Sequence, residues 1–129
     1  MEKKTSILVV DDEEIVRQLL KQSLETEGFA VTMADNGNSA LALLAKNEPA
    51  IVLLDIRMPG LDGYQVLERI RKTSNVPVLM LTGLLDETAA AHSFDLGADD
   101  YIRKPFHRKT LVARIRAKLR RARGDIRRL

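Results

Sequence analysis

Five short apolar runs, separated by longer stretches of helical period, restrict this chain to one kind of architecture. The runs are Ile7–Val10, Val31–Ala34, Ala50–Leu54, Val76–Leu81 and Tyr101–Ile102. The first, third and fourth are almost continuously hydrophobic, as in strands of a parallel sheet covered on both faces. The second and fifth are weaker and read as marginal strands. Helical stripes fall between and after them: Ile15, Leu19, Leu20 and Leu24; Ala40, Leu41, Leu44 and Ala45; Val66, Leu67 and Ile70; Ala89, Ala90, Ser93 and Phe94; Leu111, Ile115 and Leu119. The punctuation agrees. Gly28 ends the first helix, Pro49 precedes the third strand, Gly63 opens the third helix and Gly97 ends the fourth. Five such units at roughly 20–25-residue spacing predict an α/β fold, a doubly wound five-stranded parallel sheet with five helices.

Composition narrows the class. The chain has 129 residues, 45% of them hydrophobic, enough for one packed core. It has no cysteine, so neither a disulfide framework nor a thiolate metal site is available. It has no tryptophan and 4% aromatics, too few to stack single-stranded nucleic acid. No apolar run reaches the roughly 18–20 residues that span a bilayer, and the lysine-bearing N-terminus meets an acidic cluster after one short apolar run, unlike a signal peptide. A cytoplasmic domain without membrane contact is the expectation.

Charge is divided along the chain. Residues 1–106 carry 11 basic and 17 acidic residues, net −6, whereas residues 107–129 carry 10 basic and one acidic, net +9. The basic pI of 9.4 therefore describes the C-terminal segment. It is a poor argument for nucleic-acid binding by the whole domain. A solvated helix face explains the basic segment more simply than phosphate-backbone contact does. Composition shows no break before about residue 121, so residues 1–123 read as one domain and 124–129 as the start of a linker.

A doubly wound sheet builds its site at the C-terminal ends of its strands, near the topological switch point. There the sequence places Asp11, Asp12, Glu13 and Glu14 after the first strand and Asp55 after the third. Thr82-Gly83 follows the fourth strand and Lys104-Pro105 the fifth. Each residue has a plain alternative: Asp11 and Asp12 as helix N-caps, Thr82 as a cap, Lys104 as a surface lysine. Together they converge from four strands. Clustered carboxylates repel unless a hard cation neutralises them, and oxygen-only ligation suits Mg²⁺. A carboxylate can also attack a phosphoryl group to give an acyl phosphate. Its equatorial oxygens then need a cation such as Lys104 and a donor such as Thr82.

These residues resemble the receiver domain of two-component response regulators. The likeness covers residues 4–123 and rests on four motifs: Ile-Leu-Val-Val-Asp-Asp-Glu at 7–13, Leu-Leu-Asp-Ile-Arg-Met-Pro-Gly-Leu-Asp-Gly at 53–63, Leu-Thr-Gly at 81–83, and Gly-Ala-Asp-Asp-Tyr-Ile-Arg-Lys-Pro-Phe at 97–106. The resemblance implies a flavodoxin-like receiver fold with Asp55 as phosphoacceptor and a sensor histidine kinase as donor. It implies Mg²⁺ held by Asp11, Asp12, Asp55 and the backbone carbonyl of Arg57, and Lys104 on the phosphoryl group. It further implies a cis bond before Pro105 and Thr82 with Tyr101 as a switch pair that reshapes the face of the fourth helix, fifth strand and fifth helix.

The last third is similar to the OmpR/PhoB-type regulators. That likeness implies a homodimer on phosphorylation, with crossed pairs Asp99–Arg114 and Asp100–Arg121. It implies DNA contact only through a C-terminal winged-helix domain beyond these residues, and hence a role in transcription. A third pair of that face is missing at both ends, Ala90 and Thr110 standing in for its two charges. If rim-exposed, it is worth under about 1 kcal/mol. Arg57 and Leu84 flank the approach to the phosphoryl group and position an attacking water poorly, which predicts slow self-dephosphorylation.

Three other functions share parts of this pattern. A haloacid-dehalogenase-like phosphatase needs a second acid two residues after its nucleophile, and position 57 is arginine. A flavodoxin-like cofactor binder needs a phosphate cradle where Asp11 and Asp12 stand. A stand-alone receiver acting through protein contacts is the remaining alternative.

Overall fold

The computed structural model describes residues 3–83 and 87–124. Five strands, β1 (Ser6–Val10), β2 (Ala30–Ala34), β3 (Ile51–Asp55), β4 (Val78–Thr82) and β5 (Asp100–Arg103), alternate with five helices. These are α1 (Glu14–Thr26), α2 (Gly37–Lys46), α3 (Gly63–Arg71), α4 (Glu87–Asp95) and α5 (Arg108–Ala122). Every strand pair is parallel and the sheet order is β2-β1-β3-β4-β5. From β1 the chain winds outward to β2 on one side and to β3 on the other. The switch point thus lies at the C-terminal ends of β1 and β3.

The period of two along each strand divides the core into two layers. Leu8, Val10, Val52, Leu54, Val78 and Met80 face Ala40 of α2 and Val66, Leu67 and Ile70 of α3. Ile7, Val9, Ile51, Leu53, Leu79 and Leu81 face Leu20 and Leu24 of α1 and Leu111, Ile115 and Leu119 of α5. The three central strands are buried along nearly their whole length, which is why their sequences show no alternation. Each fully buried leucine contributes about 1.5–3 kcal/mol by leaving water.

The element bounds differ from the sequence pattern in instructive places. β3 runs one residue further than its apolar run, so Asp55 is the last residue of the strand and pairs with Leu81, rather than standing in the loop. β4 starts at Val78, not Val76, because Pro77 has no N–H for the ladder and only its carbonyl pairs, with Val52 N–H. β5 extends to Asp100–Arg103 at the sheet edge. The α1 stripe is displaced: Leu20 and Leu24 are buried with Val16 beside them, whereas Ile15 is 82% and Leu19 56% exposed. On α4, Ala89 and Ser93 are buried but Phe94 is half exposed.

Candidate functional site

The strand ends bring the acidic and basic residues together. Asp11, Asp12 and Asp55 each offer a carboxylate oxygen within 4.8 Å of the others. Asp11 and Asp55 are buried, and Asp12 is exposed at the rim. Lys104 lies between them, with Nζ 2.7 Å from Asp11 Oδ2 and 3.6 Å from Asp55 Oδ2. Asp12, Glu13, Asp55, Arg57, Thr82, Gly83 and Lys104 line one open cavity of about 570 Å³.

Local structure explains each position. Asp55 ends β3 in the same pleat row as Ile51 and Leu53, and the following Ile56 N–H donates to Leu81 O. Its carboxylate accepts the Arg57 backbone N–H. Asp11 follows β1, its own N–H donating to Ala34 O. It is not the helix cap. Glu13 holds that position without a side-chain cap bond, and Asp11 Oδ1 accepts the Glu13 N–H instead. Nor is Thr82 a cap of the next helix: it is the buried last residue of β4, five residues before α4. Thr82 O accepts the Lys104 N–H, which ties the β5 exit to β4. The Lys104–Pro105 peptide is cis.

Electrostatics follow from this crowding. Burial, and then the neighbouring Asp11 charge, push the Asp55 carboxyl up to about 6, against the pull of Lys104 and the Arg57 N–H. Burial works against the Lys104 ammonium. The hydrogen bond to Asp11 and the charges of Asp55, Asp11 and Glu13 outweigh it, and its pKa ends above the ordinary lysine value. The donors are all oxygens, two of the carboxylates are buried, and Lys104 already supplies one positive charge between them. That set fits Mg²⁺.

Tyr101 sits apart from the acidic cluster. It pairs with Met80, two residues before Thr82, and packs half-buried against the layer beneath α2 and α3. Neighbouring Asp99 and Asp100 turn in different directions. Asp99 Oδ2 accepts from the Arg71 guanidinium at 2.9 Å and from Val78 N–H at 2.8 Å. Asp100 faces α5, with Arg114 at 3.1 Å and Lys118 at 3.9 Å. Within one chain Arg114 thus reaches Asp100, not Asp99, and Arg121 is exposed in the last turn of α5. Leu84 lies outside the described residues.

Four residues brace the site from behind, in roles the motifs do not state. Gly63 packs against the Asp55 backbone. Asp62 and Gln65 form a reciprocal capping box at the start of α3, a pattern readable as Asp-x-x-Gln before an apolar stripe. Arg17 reaches from α1 to the Asp11 carbonyl, for which sequence carries no signal.

A doubly wound parallel sheet with a buried, cation-fitting acidic site at its switch point, and a lysine and a hydroxyl facing it, defines the class of aspartate-bearing signalling domains. The chain belongs to the response regulator receiver domain family, whose sequence model matches residues 7–116. It is 49% identical over 121 residues to the "Probable transcriptional regulator ycf27" of Guillardia theta, covering 94% of this chain and 48% of that protein. Transcriptional regulatory protein CseB of Streptomyces avermitilis is 46% identical, with 94% and 52% covered. The BeF3-activated N-terminal receiver domain of Klebsiella pneumoniae RstA superposes with a TM-score of 0.87 at 33% identity, covering 90% of this chain and 99% of that one. The chain therefore spans about half the length of the curated relatives it matches, which are named as transcriptional regulators. No described helix is long and apolar enough to cross a membrane.

Proposed function

We propose that this domain is a phosphorylation switch in which Asp55 accepts a phosphoryl group from the phosphohistidine of a sensor kinase. The P–N bond to the imidazole breaks and a P–O bond to an Asp55 oxygen forms. The imidazole keeps the electron pair and takes a proton from solvent. The observation that carries this reading is the placement of Lys104 Nζ, 2.7 Å from Asp11 and 3.6 Å from Asp55, beside the three carboxylates. Lys104 is in reach of a phosphoryl oxygen on Asp55, and the Thr82 hydroxyl at the end of the neighbouring strand is a donor for another. With a pKa of about 6, Asp55 is largely ionised at neutral pH and can act as nucleophile.

Asp11, Asp12, Asp55 and the Arg57 carbonyl are the residues that would hold Mg²⁺. When bound, the ion supplies positive charge that offsets the charge on the phosphoryl oxygens. Thr82 drawn towards the phosphoryl group vacates space into which Tyr101 turns, and the α4-β5-α5 face changes shape. That is a population shift between two packings, biased by one added charge. The altered face pairs two copies. To form the crossed pairs, Asp100 exchanges Arg114 and Lys118 for partners on the other copy. Asp99 must give up both Arg71 and the Val78 N–H to do so. Residues 1–123 then act as the receiver of a longer cytoplasmic regulator that meets DNA through a further domain, as the doubled length of its relatives supports.

Acetyl phosphate with Mg²⁺, followed by intact-mass measurement, tests this directly. The expected result is one phosphoryl group on the wild type and none on Asp55→Ala. An unmodified wild type overturns the reading.

A further inference from the structure

We infer that Arg17 of α1 is a positioning residue for the metal-binding acidic pair: its guanidinium holds the main chain of the β1–α1 turn while the side chains of that turn change partners. The inference rests on the Mg²⁺ reading above and concerns a residue that makes no contact with the cavity. Arg17 Nη1 donates to the Asp11 backbone carbonyl at 2.8 Å, and Arg17 N–H donates to Glu13 O at 3.0 Å. One residue thereby grips the turn on both sides of Asp12.

The turn has few other supports. Glu13, at the N-cap position of α1, makes no side-chain cap bond. The Asp11 carboxylate is fully engaged, Oδ1 with the Glu13 N–H at 2.9 Å and Oδ2 with Lys104 Nζ at 2.7 Å. A cation taken up by Asp11 competes with both of those bonds. The ties of the Asp11 main chain do not compete with it: its N–H donates to Ala34 O at 3.2 Å, and its carbonyl accepts the shorter, charge-assisted bond from Arg17. Asp12 is exposed and lies between the two points that Arg17 holds, so its direction depends on them. Groups that orient metal ligands from behind typically change metal affinity 10–100-fold when removed.

Charge and position make opposite predictions here. Removing the Arg17 cation from the β1–α1 turn that carries the acidic pair tightens Mg²⁺ binding by Coulomb attraction alone. Loss of the tether weakens it. Calorimetric titration with MgCl₂, with a melting curve for each protein, separates the two. Arg17→Met is expected to bind Mg²⁺ about 10-fold more weakly than wild type. Arg17→Lys, which keeps a donor of similar reach, is expected to recover most of the loss. If Arg17→Met does not fold, Arg17→Gln carries the same expectation, being uncharged and too short to reach the carbonyl. A wild type that binds Mg²⁺, an Asp12→Asn that does not, and an Arg17→Met with equal or tighter affinity overturn the inference alone. A wild type without Mg²⁺ binding overturns the site reading as well.

Discussion

Gly63, the first residue of α3, lies so close to Asp55 that a Cβ on it would overlap the Asp55 carbonyl oxygen and stand 2.7 Å from Ile56 Cα. The Gly63 N–H also donates to Ile56 O at 2.7 Å. Gly63 has no positive φ, so its place depends on space and not on backbone freedom. The obstructing atoms are main chain and cannot rotate away. We expect Gly63→Ala to cost about 1–3 kcal/mol in urea unfolding, the usual scale of overpacking. It should also weaken Mg²⁺ binding, because Asp55 moves with its backbone. Unchanged stability would refute the close packing.

The Asp55 carboxyl gives a second expectation, whose sign depends on pH. It titrates near 6 in the fold against an ordinary value of 3.8, mainly through burial. Its contribution to stability is therefore complete below the ordinary value and is lost as pH rises through about 6. Asp55→Asn removes the charged form. At pH 7.5 without divalent cations the variant should be more stable than wild type by about 1–3 kcal/mol, and the gap should close towards pH 4. Urea unfolding at both ends measures it, and an equal gap at both would contradict the cause.

Lys104 neutralises a buried pair. Lys104→Met leaves Asp11 and Asp55 facing each other with no ammonium between them. Unfolding at neutral pH should show a loss of about 3 kcal/mol, the scale for a buried charge stripped of its partner. Added Mg²⁺ should restore more stability to the variant than it adds to wild type. Equal stabilisation of both proteins would show that the ion goes elsewhere.

Arg57 lines the cavity beside Asp55. A guanidinium positions an attacking water poorly, whereas an asparagine amide can hold one. The acyl phosphate should therefore decay faster in Arg57→Asn than in wild type, followed by intact mass after the phosphodonor is removed. A wild type that decays faster than the variant contradicts this.

The sheet was legible because its three central strands are buried on both faces and so contain almost nothing but aliphatic residues. The site was legible because carboxylates stand where those runs stop. What escaped depends on space or on direction around a helix. Ile15 and Leu19 share the spacing of Leu20 and Leu24, yet they point to solvent, since a stripe of four cannot say which edge the sheet covers. Arg17 looks like any helix-surface cation until the turn folds back beneath it. Asp99 and Asp100 are chemically identical neighbours, and only the fold, with Asp99 just before β5 and Asp100 its first residue, sends one to Arg71 and the other to Arg114.

Asp55 as the receiver of the phosphoryl group can be tested by chemical trapping. An acyl phosphate is reduced by borohydride to an alcohol, which turns an aspartate into homoserine and marks the residue permanently. Wild-type protein treated with acetyl phosphate and Mg²⁺, reduced and digested, should carry homoserine at position 55 alone, and omission of Mg²⁺ should abolish the mark. Homoserine at Asp11 or Asp12, or none at all, would contradict the account.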